Sequence, residues 1–338
     1  MKPFSYTRAE TVQDAIAALA ANPDAQLLAG GTNLIDLMKY DVMHPGTIVD
    51  INSLPLSDVT ELPDGGLRIG ALTSNSAIAY NEQVVGRFPL LASAILAGAS
   101  PQLRNAATTG GNLLQRTRCY YFYDPASPCN KRQPGSGCSA IGGVNRIHAI
   151  LGASPACIAV HPSDMCIALA ALDAVVEVEG ADGRREIPFH EFHRLPGDEP
   201  QRDNTLRPSE VVTGIRLAAN RFGQNHTYLK IRDRLSYAFA LVSVAAAMEI
   251  EDGHILDVRV ALGGVAHKPW RDTLVESEFA GRSADENTFL QIADRILVGA
   301  KGQGQNDFKI SLARKAIVRA LRQAAAGTPQ DQAVKAIQ

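Results

Sequence analysis

The residues best suited to metal chemistry in this chain are its five cysteines, all of which fall between residues 119 and 166. Cys119, Cys129 and Cys138 are separated by nine and eight residues, Cys157 follows after eighteen more, and Cys166 is the fifth. These intervals are too long for the paired cysteines of a zinc ribbon or the close runs of a bacterial ferredoxin. A folded loop can still gather distant thiolates into a four-sulfur site, and Pro125, Pro128, Pro134, Gly135 and Gly137 supply the turns. Lys131, Arg132 and Arg118 offer positive charge to offset a thiolate-ligated centre. Spacing favours a [4Fe-4S] cluster over zinc and leaves buried free or disulfide-linked cysteines as a third reading. An odd number of cysteines leaves at least one outside any internal disulfide.

A second chemistry is suggested by two glycine pairs, in LLAGGTNL at 27–34 and ATTGGNLLQ at 107–115. Adjacent glycines can take positive φ and present successive backbone N–H groups to an anion, and a pyrophosphate needs such close approach. Neither stretch has the spacing of a dinucleotide fingerprint or a Walker loop, so each alone reads first as a plain turn, and it is the pair that suggests an anion site. Asp164 could accept from ribose hydroxyls or cap a helix after Pro162. Lys230, between Leu229 and Ile231, is either a charge for a phosphate or reduced flavin, or a solvent-facing lysine on a strand. Tyr120, Tyr121, Phe122 and Tyr123 form the densest aromatic run, suited to covering a cluster or stacking on a ring.

Other constellations are poor. The eight histidines show no HExxH and no close metal-binding set, and His190 and His193 read as surface or interface residues. No GxSxG element or nucleophile and base pair points to hydrolysis. His267, Lys268 and Trp270 in GGVAHKPW read as a packed turn, or as a loop facing a flavin or partner.

The chain has 338 residues, enough for two or three domains, and 46% apolar content excludes wholesale disorder. A formal charge of -2 argues against a nucleic-acid surface. The first residues lack an apolar core, and the run around Ala238 to Met248 is too short to span a bilayer, so the expectation is a soluble chain without its own secretory signal.

Positioning these residues requires an alternation of strands and helices. Thr11 and Asp14 cap a helix to about residue 21, a strand at 26–29 enters the first glycine pair, and a helix begins at Leu34. Thr47 to Ile51 is a strand, and Asp64-Gly65 turns a hairpin. Residues 74–81 and 88–97 read as helices, broken by Gly98 to Pro101. Strands are expected at 156–160, 174–179 and 211–217, with a helix at 164–172. The polar, proline-broken run 191–208 marks the approach to a domain boundary. Beyond it come a strand around Lys230, two strands about Asp252-Gly253, helices near 284–298 and 309–326, and a frayed tail.

In this order, LLAGGTNLIDLM, ATTGGNLLQR, HPSDM, YLKIRDRLSYAFALVSVAAAM and ALGGVAHKPW closely resemble the FAD-binding middle subunit of the xanthine dehydrogenase and molybdenum hydroxylase family. The segment RTRCYYFYDPASPCNKRQPGSGC with CIAVHPSDM resembles the bacterial periplasmic aldehyde oxidoreductases whose flavin subunit carries an extra [4Fe-4S] cluster. The resemblance implies an α+β fold: a two-lobed PCMH-type, vanillyl-alcohol-oxidase-like FAD domain at 1–220, then a carbon monoxide dehydrogenase flavoprotein-like domain at 221–327 and a tail at 328–338. The lobes would span about 1–55 and 56–220, with the cluster segment at 115–160.

It further implies that Leu28, Ala29, Gly30, Gly31, Thr32, Asn33 and Leu34 wrap the FAD pyrophosphate and that Thr108, Thr109, Gly110, Gly111 and Asn112 line a second contact. Asp164 would serve the ribose or diphosphate, Lys230 the flavin side, and Cys119, Cys129, Cys138 and Cys157 the cluster, with Cys166 spare in a small buried position. The implied function is electron transfer from two [2Fe-2S] clusters of a small subunit through FAD to an external acceptor. A large subunit would hold the molybdenum cofactor and hydroxylate an aldehyde. Export with a signal-bearing partner to the periplasm is expected, with the cytoplasm as the alternative. Two other functions stay open: a free-standing FAD-dependent oxidase and a non-enzymatic zinc-binding scaffold.

Overall fold

The computed structural model describes residues 1–333 and is a mixed α/β protein with three sheets. The first is a parallel sheet in the order β1-β3-β2, from β1 (Ser5–Arg8), β2 (Ala25–Leu28) and β3 (Thr47–Asp50). The crossover between β1 and β2 is the helix Val12–Ala21, whose Thr11 and Asp14 complete a reciprocal capping box. Helix Leu34–Lys39 follows the first glycine pair.

The second sheet has five antiparallel strands in the order β4-β5-β8-β6-β7: β4 (Val59–Glu61), β5 (Leu67–Gly70), β6 (Val175–Gly180), β7 (Gly183–Pro188) and β8 (Val211–Leu217). Its inner face packs on helices Pro89–Ala97 and Asp164–Ala171, where Leu91, Ile95, Ile167 and Leu169 are buried with Ile69, Val176 and Ile215. Helix Asp164–Ala171 is apolar almost all round because it has buried neighbours on every side.

One of those neighbours is the third sheet, ordered β11-β10-β9, from β9 (His226–Ile231), β10 (Val242–Glu251) and β11 (His254–Gly263). Side chains alternate across a strand, and β10 uses both faces. Val242, Val244, Ala246 and Met248 join the core under helices Glu286–Ile296 and Phe308–Ala325, while Ala245 and Ala247 join the core of the first two-thirds of the chain. Two-sided burial explains why β10 reads as a continuous apolar run rather than an alternating one. At the β10–β11 turn Asp252 and Gly253 both take positive φ, 48° and 78°, as a two-residue hairpin of this twist requires.

Several expectations are corrected. A further helix, Pro101–Ala106, follows the break at 98–101 because Ser100 caps it and Pro101 suits its first turn. The second glycine pair lies inside a short helix, Thr109–Leu113, capped by Thr108. No strand forms at 156–160: Ser154 and Cys157 bond to each other across a tight turn instead. Strands β1 and β7 and the short helices Glu82–Arg87, Tyr120–Tyr123, Phe189–Phe192 and Thr273–Ser277 are further elements the sequence did not reveal.

The tail is anchored as far as it is described: Gln330 N–H donates to Thr227 Oγ1 at 2.9 Å and Gln332 Nε2 to the Tyr228 carbonyl at 2.9 Å. Both partners lie on β9, whose outer edge is otherwise unpaired, and covering such an edge is favourable. The expected tail at 334–338 lies outside the described residues. Among the described residues no helix is long and apolar enough to cross a membrane.

Candidate functional site

Two cavities adjoin where the β2 loop meets the second glycine element. The larger, about 720 Å³, is walled by Ala29, Gly30, Gly31, Thr32, Asn33 and Leu34, by Thr108, Gly110 and Gly111, and on another side by Arg116 and Asp203. The smaller, about 410 Å³, is lined by Asn112, Asp164 and Lys230 together with Arg234, Tyr237 and Phe239. Thr32, Asn33 and Gly111 belong to both walls. Of the residues implied for a dinucleotide, Leu28 and Thr109 line neither cavity. Thr109 is buried with Oγ1 donating to the Thr73 carbonyl, and the Leu28 carbonyl accepts from the Ile51 N–H.

The glycines serve different ends. Gly31 has φ of +71° and so needs its missing side chain for the turn itself. Gly30 is needed for close approach, since a Cβ there would meet the Ala106 carbonyl oxygen at 1.7 Å. Gly110 and Gly111 keep negative φ, contrary to the turn expected there; a Cβ on Gly110 would crowd Ala71 at 3.3 Å. Asn33 stands between the cavities. Its Oδ1 accepts the Arg116 N–H at 2.9 Å, which aims Nδ2, a buried donor with no protein acceptor, and such a donor is costly unless something else accepts from it.

Asp164 occupies the first turn of its helix, and the cap is Ser163, whose hydroxyl accepts from the Cys166 N–H. Asp164 Oδ1 accepts from the Tyr228 hydroxyl at 2.7 Å and Oδ2 from Lys230 Nζ at 2.7 Å. Lys230 also donates to the Ala97 carbonyl, and its side chain is only 3% exposed, so the solvent-facing alternative is excluded. Burial holds the Tyr228 hydroxyl well above its ordinary pKa, and the Asp164 charge adds to this, so it stays a donor.

Cys119, Cys129, Cys138 and Cys157 line one small enclosure with Tyr121, Phe122 and Lys131. Burial pushes the Cys119 and Cys157 thiols up to about 12 and about 11, values that keep both protonated near neutral pH. No three of these sulfurs satisfy a mutual spacing of 4.8 Å among the described residues. Of the three cations expected to face the enclosure, Lys131 does. Arg118 turns to Asp36, at 2.8 Å, and Arg132 donates to the carbonyls of Tyr121 and Phe122, because each reaches a nearer acceptor. In the aromatic run, Tyr121 and Phe122 cover the enclosure, Tyr123 bonds Asp36, and Tyr120 is exposed.

Lys131 and Arg116 share Asp203. Lys131 Nζ pairs with Oδ1 and Arg116 Nε donates to Oδ2 at 2.8 Å. Burial would raise the Asp203 carboxyl, yet the two cations hold it well below the usual range. Lys131 lines the cysteine enclosure and Asp203 the larger cavity, so this ion triad is a wall between them. Sequence reading missed Asp203 and Arg116. Asp203 lies in the polar run 191–208, whose composition does not distinguish a connection from a segment folded onto buried cations.

His193 is buried rather than on the surface, and His161, Cys166 and His193 form the close-set group that the sequence did not reveal, with ligand atoms within 4.8 Å of one another. Its hydrogen bonds read as packing. His161 Nδ1 accepts the Ser163 N–H, which leaves the proton of a neutral ring on Nε2, while His193 Nε2 donates to the Leu113 carbonyl. The rings meet edge to face at 4.4 Å. Cys166 is fully buried in the same core, a small buried residue as expected. In the GGVAHKPW stretch, His267 Nδ1 donates to the Arg194 carbonyl at 2.8 Å, and the Trp270 backbone pairs with Leu262, making it a packed turn.

The family model described as the FAD binding domain in molybdopterin dehydrogenase matches residues 2–218, and that of the CO dehydrogenase flavoprotein C-terminal domain matches 226–324. The chain is 46% identical to the aldehyde oxidoreductase FAD-binding subunit PaoB of Escherichia coli, over 96% of this chain and 99% of that protein. It is 30% identical to the glyceraldehyde dehydrogenase medium chain of Sulfolobus acidocaldarius, over 87% of this chain and 86% of the other. Among solved structures, a chain of the carbon monoxide dehydrogenase of Hydrogenophaga pseudoflava aligns with a TM-score of 0.76 and 26% identity, covering 97% of this chain and 99% of that one. With the glycine-walled cleft and the α+β architecture of three sheets, these matches place the chain in the family of FAD-binding medium subunits of molybdenum hydroxylases.

Proposed function

We propose that the chain is the electron-transferring FAD subunit of a heterotrimeric molybdenum-dependent aldehyde oxidoreductase, working with a large molybdenum-cofactor subunit and a small subunit bearing two [2Fe-2S] clusters. The observation that carries this reading is the match to the Escherichia coli aldehyde oxidoreductase subunit along nearly the whole of both chains. Bound FAD supplies the ability to take electrons one at a time from iron–sulfur centres and release them singly or in pairs to an external acceptor.

The chain's own residues bind and orient. Gly30 and Gly31 let the backbone approach the pyrophosphate, and the unpartnered Asn33 Nδ2 donates to it from the wall common to both cavities. Thr108 caps the second glycine element and holds Gly111 in place. Lys230, fixed by Asp164, brings a positive charge to the cavity that receives the flavin ring. Tyr237 and Phe239, both exposed, line that cavity and offer aromatic surface to the ring.

In the same proposal Cys119, Cys129, Cys138 and Cys157 ligate a [4Fe-4S] cluster. Four cysteines around one enclosure and a buried lysine beside them fit a thiolate centre. The sequence spacing of the cysteines, without the close pairs of a zinc ribbon, supports the cluster over one zinc ion. Residence in the periplasm, by export with a signal-bearing partner, belongs to the proposal through the resemblance to periplasmic aldehyde oxidoreductases. Cell fractionation separates it from a cytoplasmic complex.

The experiment is affinity purification of the chain from its own cell under anaerobic conditions, followed by flavin, iron and molybdenum quantification on the same sample. The reading expects one flavin per chain, one larger and one smaller partner, molybdenum, and iron in excess of what the small subunit carries. A chain that purifies alone, with flavin reduced directly by aldehyde, overturns it.

A further inference from the structure

This inference rests on the cluster reading above and concerns a residue outside the cysteine set. His148 is fully buried, and its Nε2 lies 3.1 Å from Cys119 Sγ. We propose that His148 is a positioning residue for the cluster: its Nε2–H donates to the ligating Cys119 sulfur and raises the cluster's reduction potential.

A metal-bound thiolate has no proton and can only accept, so a ring nitrogen at that distance must be the donor. Reduction adds one negative charge to the cluster, part of which falls on the ligand sulfurs. A fixed N–H dipole stabilises the more negative state further, and hydrogen bonds to the sulfurs are among the levers that set such potentials. In a buried site the effect is not screened by water. His148 Nδ1 has no protein partner, so nothing competes to turn the ring away from Cys119.

The backbone that carries the ring is held from both sides. The His148 N–H donates to the Asn145 carbonyl at 3.0 Å, and the His148 carbonyl accepts from Asn306 Nδ2 at 3.0 Å and Lys309 Nζ at 2.8 Å. The ring leans on Tyr121, whose hydroxyl accepts the Val144 N–H at 2.7 Å. Three hydrogen bonds fix the backbone of this residue and an aromatic neighbour lies beside its ring, and among the described residues the Cys119 sulfur is the hydrogen-bonding partner of the imidazole.

The test is an EPR-monitored redox titration of the purified complex carrying His148→Phe or His148→Gln. Phe keeps the ring volume without a donor, and Gln restores an N–H near the position of Nε2. The expected result is a Phe variant that retains flavin and the extra iron but whose cluster signal appears at a lower potential, with the Gln variant returning towards the wild-type value. A Phe variant that titrates at the wild-type potential overturns the role. If the Phe variant loses iron, the Gln variant decides: iron retained at the wild-type potential supports the donor, and iron lost or equally shifted overturns it. Wild-type complex with flavin and no iron on this chain removes the cluster reading itself, a result distinct from an unshifted potential.

Discussion

Lys230 and Asp164 form a buried ion pair, Nζ to Oδ2 2.7 Å, that ties β9 to the first turn of helix Asp164–Ala171. Removing one member of such a pair strands the other charge. Lys230→Met is expected to cost about 3–5 kcal/mol in urea unfolding and to lower the flavin-to-protein ratio. Lys230→Arg, which keeps the charge but not the shape, should recover more stability than flavin. Full flavin occupancy in the Met variant would remove Lys230 from the flavin site.

Gly30→Ala forces a methyl group into the Ala106 carbonyl oxygen, which is backbone and cannot swing away. The expected result is about 1–3 kcal/mol of destabilisation and loss of most bound flavin, read from the visible absorbance of the purified chain. Gly86→Ala is the control, because it lies in helix Glu82–Arg87 with nothing within 4 Å of the added carbon. That change should stabilise by about 0.5–1 kcal/mol and leave the flavin alone.

On the proposed cluster ligation, serine at Cys119, Cys129, Cys138 or Cys157 should abolish iron binding by this chain while sparing most of the flavin, because the ion triad separates the two sites. Cys166→Ala should keep the iron. Cys166 is outside the enclosure, and shortening it leaves only a small gap, about 1 kcal/mol in thermal or urea unfolding. Iron assays on the purified variants separate the five positions.

Stability should fall with acid before the carboxylates titrate. Burial lowers His193 and His267 from the ordinary 6.5 to about 4, so between these values the unfolded chain binds protons the folded chain refuses. The stabilisation from keeping them neutral is complete above about pH 6.5 and declines as pH drops towards 4. Each ring contributes a slope of about 1.4 kcal/mol per pH unit at its steepest. Urea unfolding at about pH 7 and about pH 5 measures the sum, and replacing His193 with Phe should reduce the slope by roughly one proton.

The sequence disclosed most where geometry is local. The capping box of Thr11 and Asp14, the Asp252-Gly253 hairpin and the apolar period of the last two helices are set by neighbouring residues. The family motifs brought Asn33, Gly111, Asp164 and Lys230 to one pair of cavities that no local pattern could have joined. What stayed hidden depends on distant partners. His193 has the composition of a surface residue, yet it is enclosed by Phe189, Phe192 and His161. Asp203 is one carboxylate in a charged run until Lys131 and Arg116 fold against it. Strand β1 is only four residues long and exposed throughout, so only its pairing with β3 identifies it.

The loop after the cysteine enclosure is fastened by the opposite end of the polypeptide. Asn145 donates to the Gln303 carbonyl, Asn306 to those of His148 and Ala149, and Lys301 N–H to that of Ile150. Because these bonds join segments far apart in sequence, that flank of the enclosure is complete only once residues 301–309 have folded against 145–150, and loosening the last helix would unfasten the cysteine segment as well, like a barrel that loses a stave.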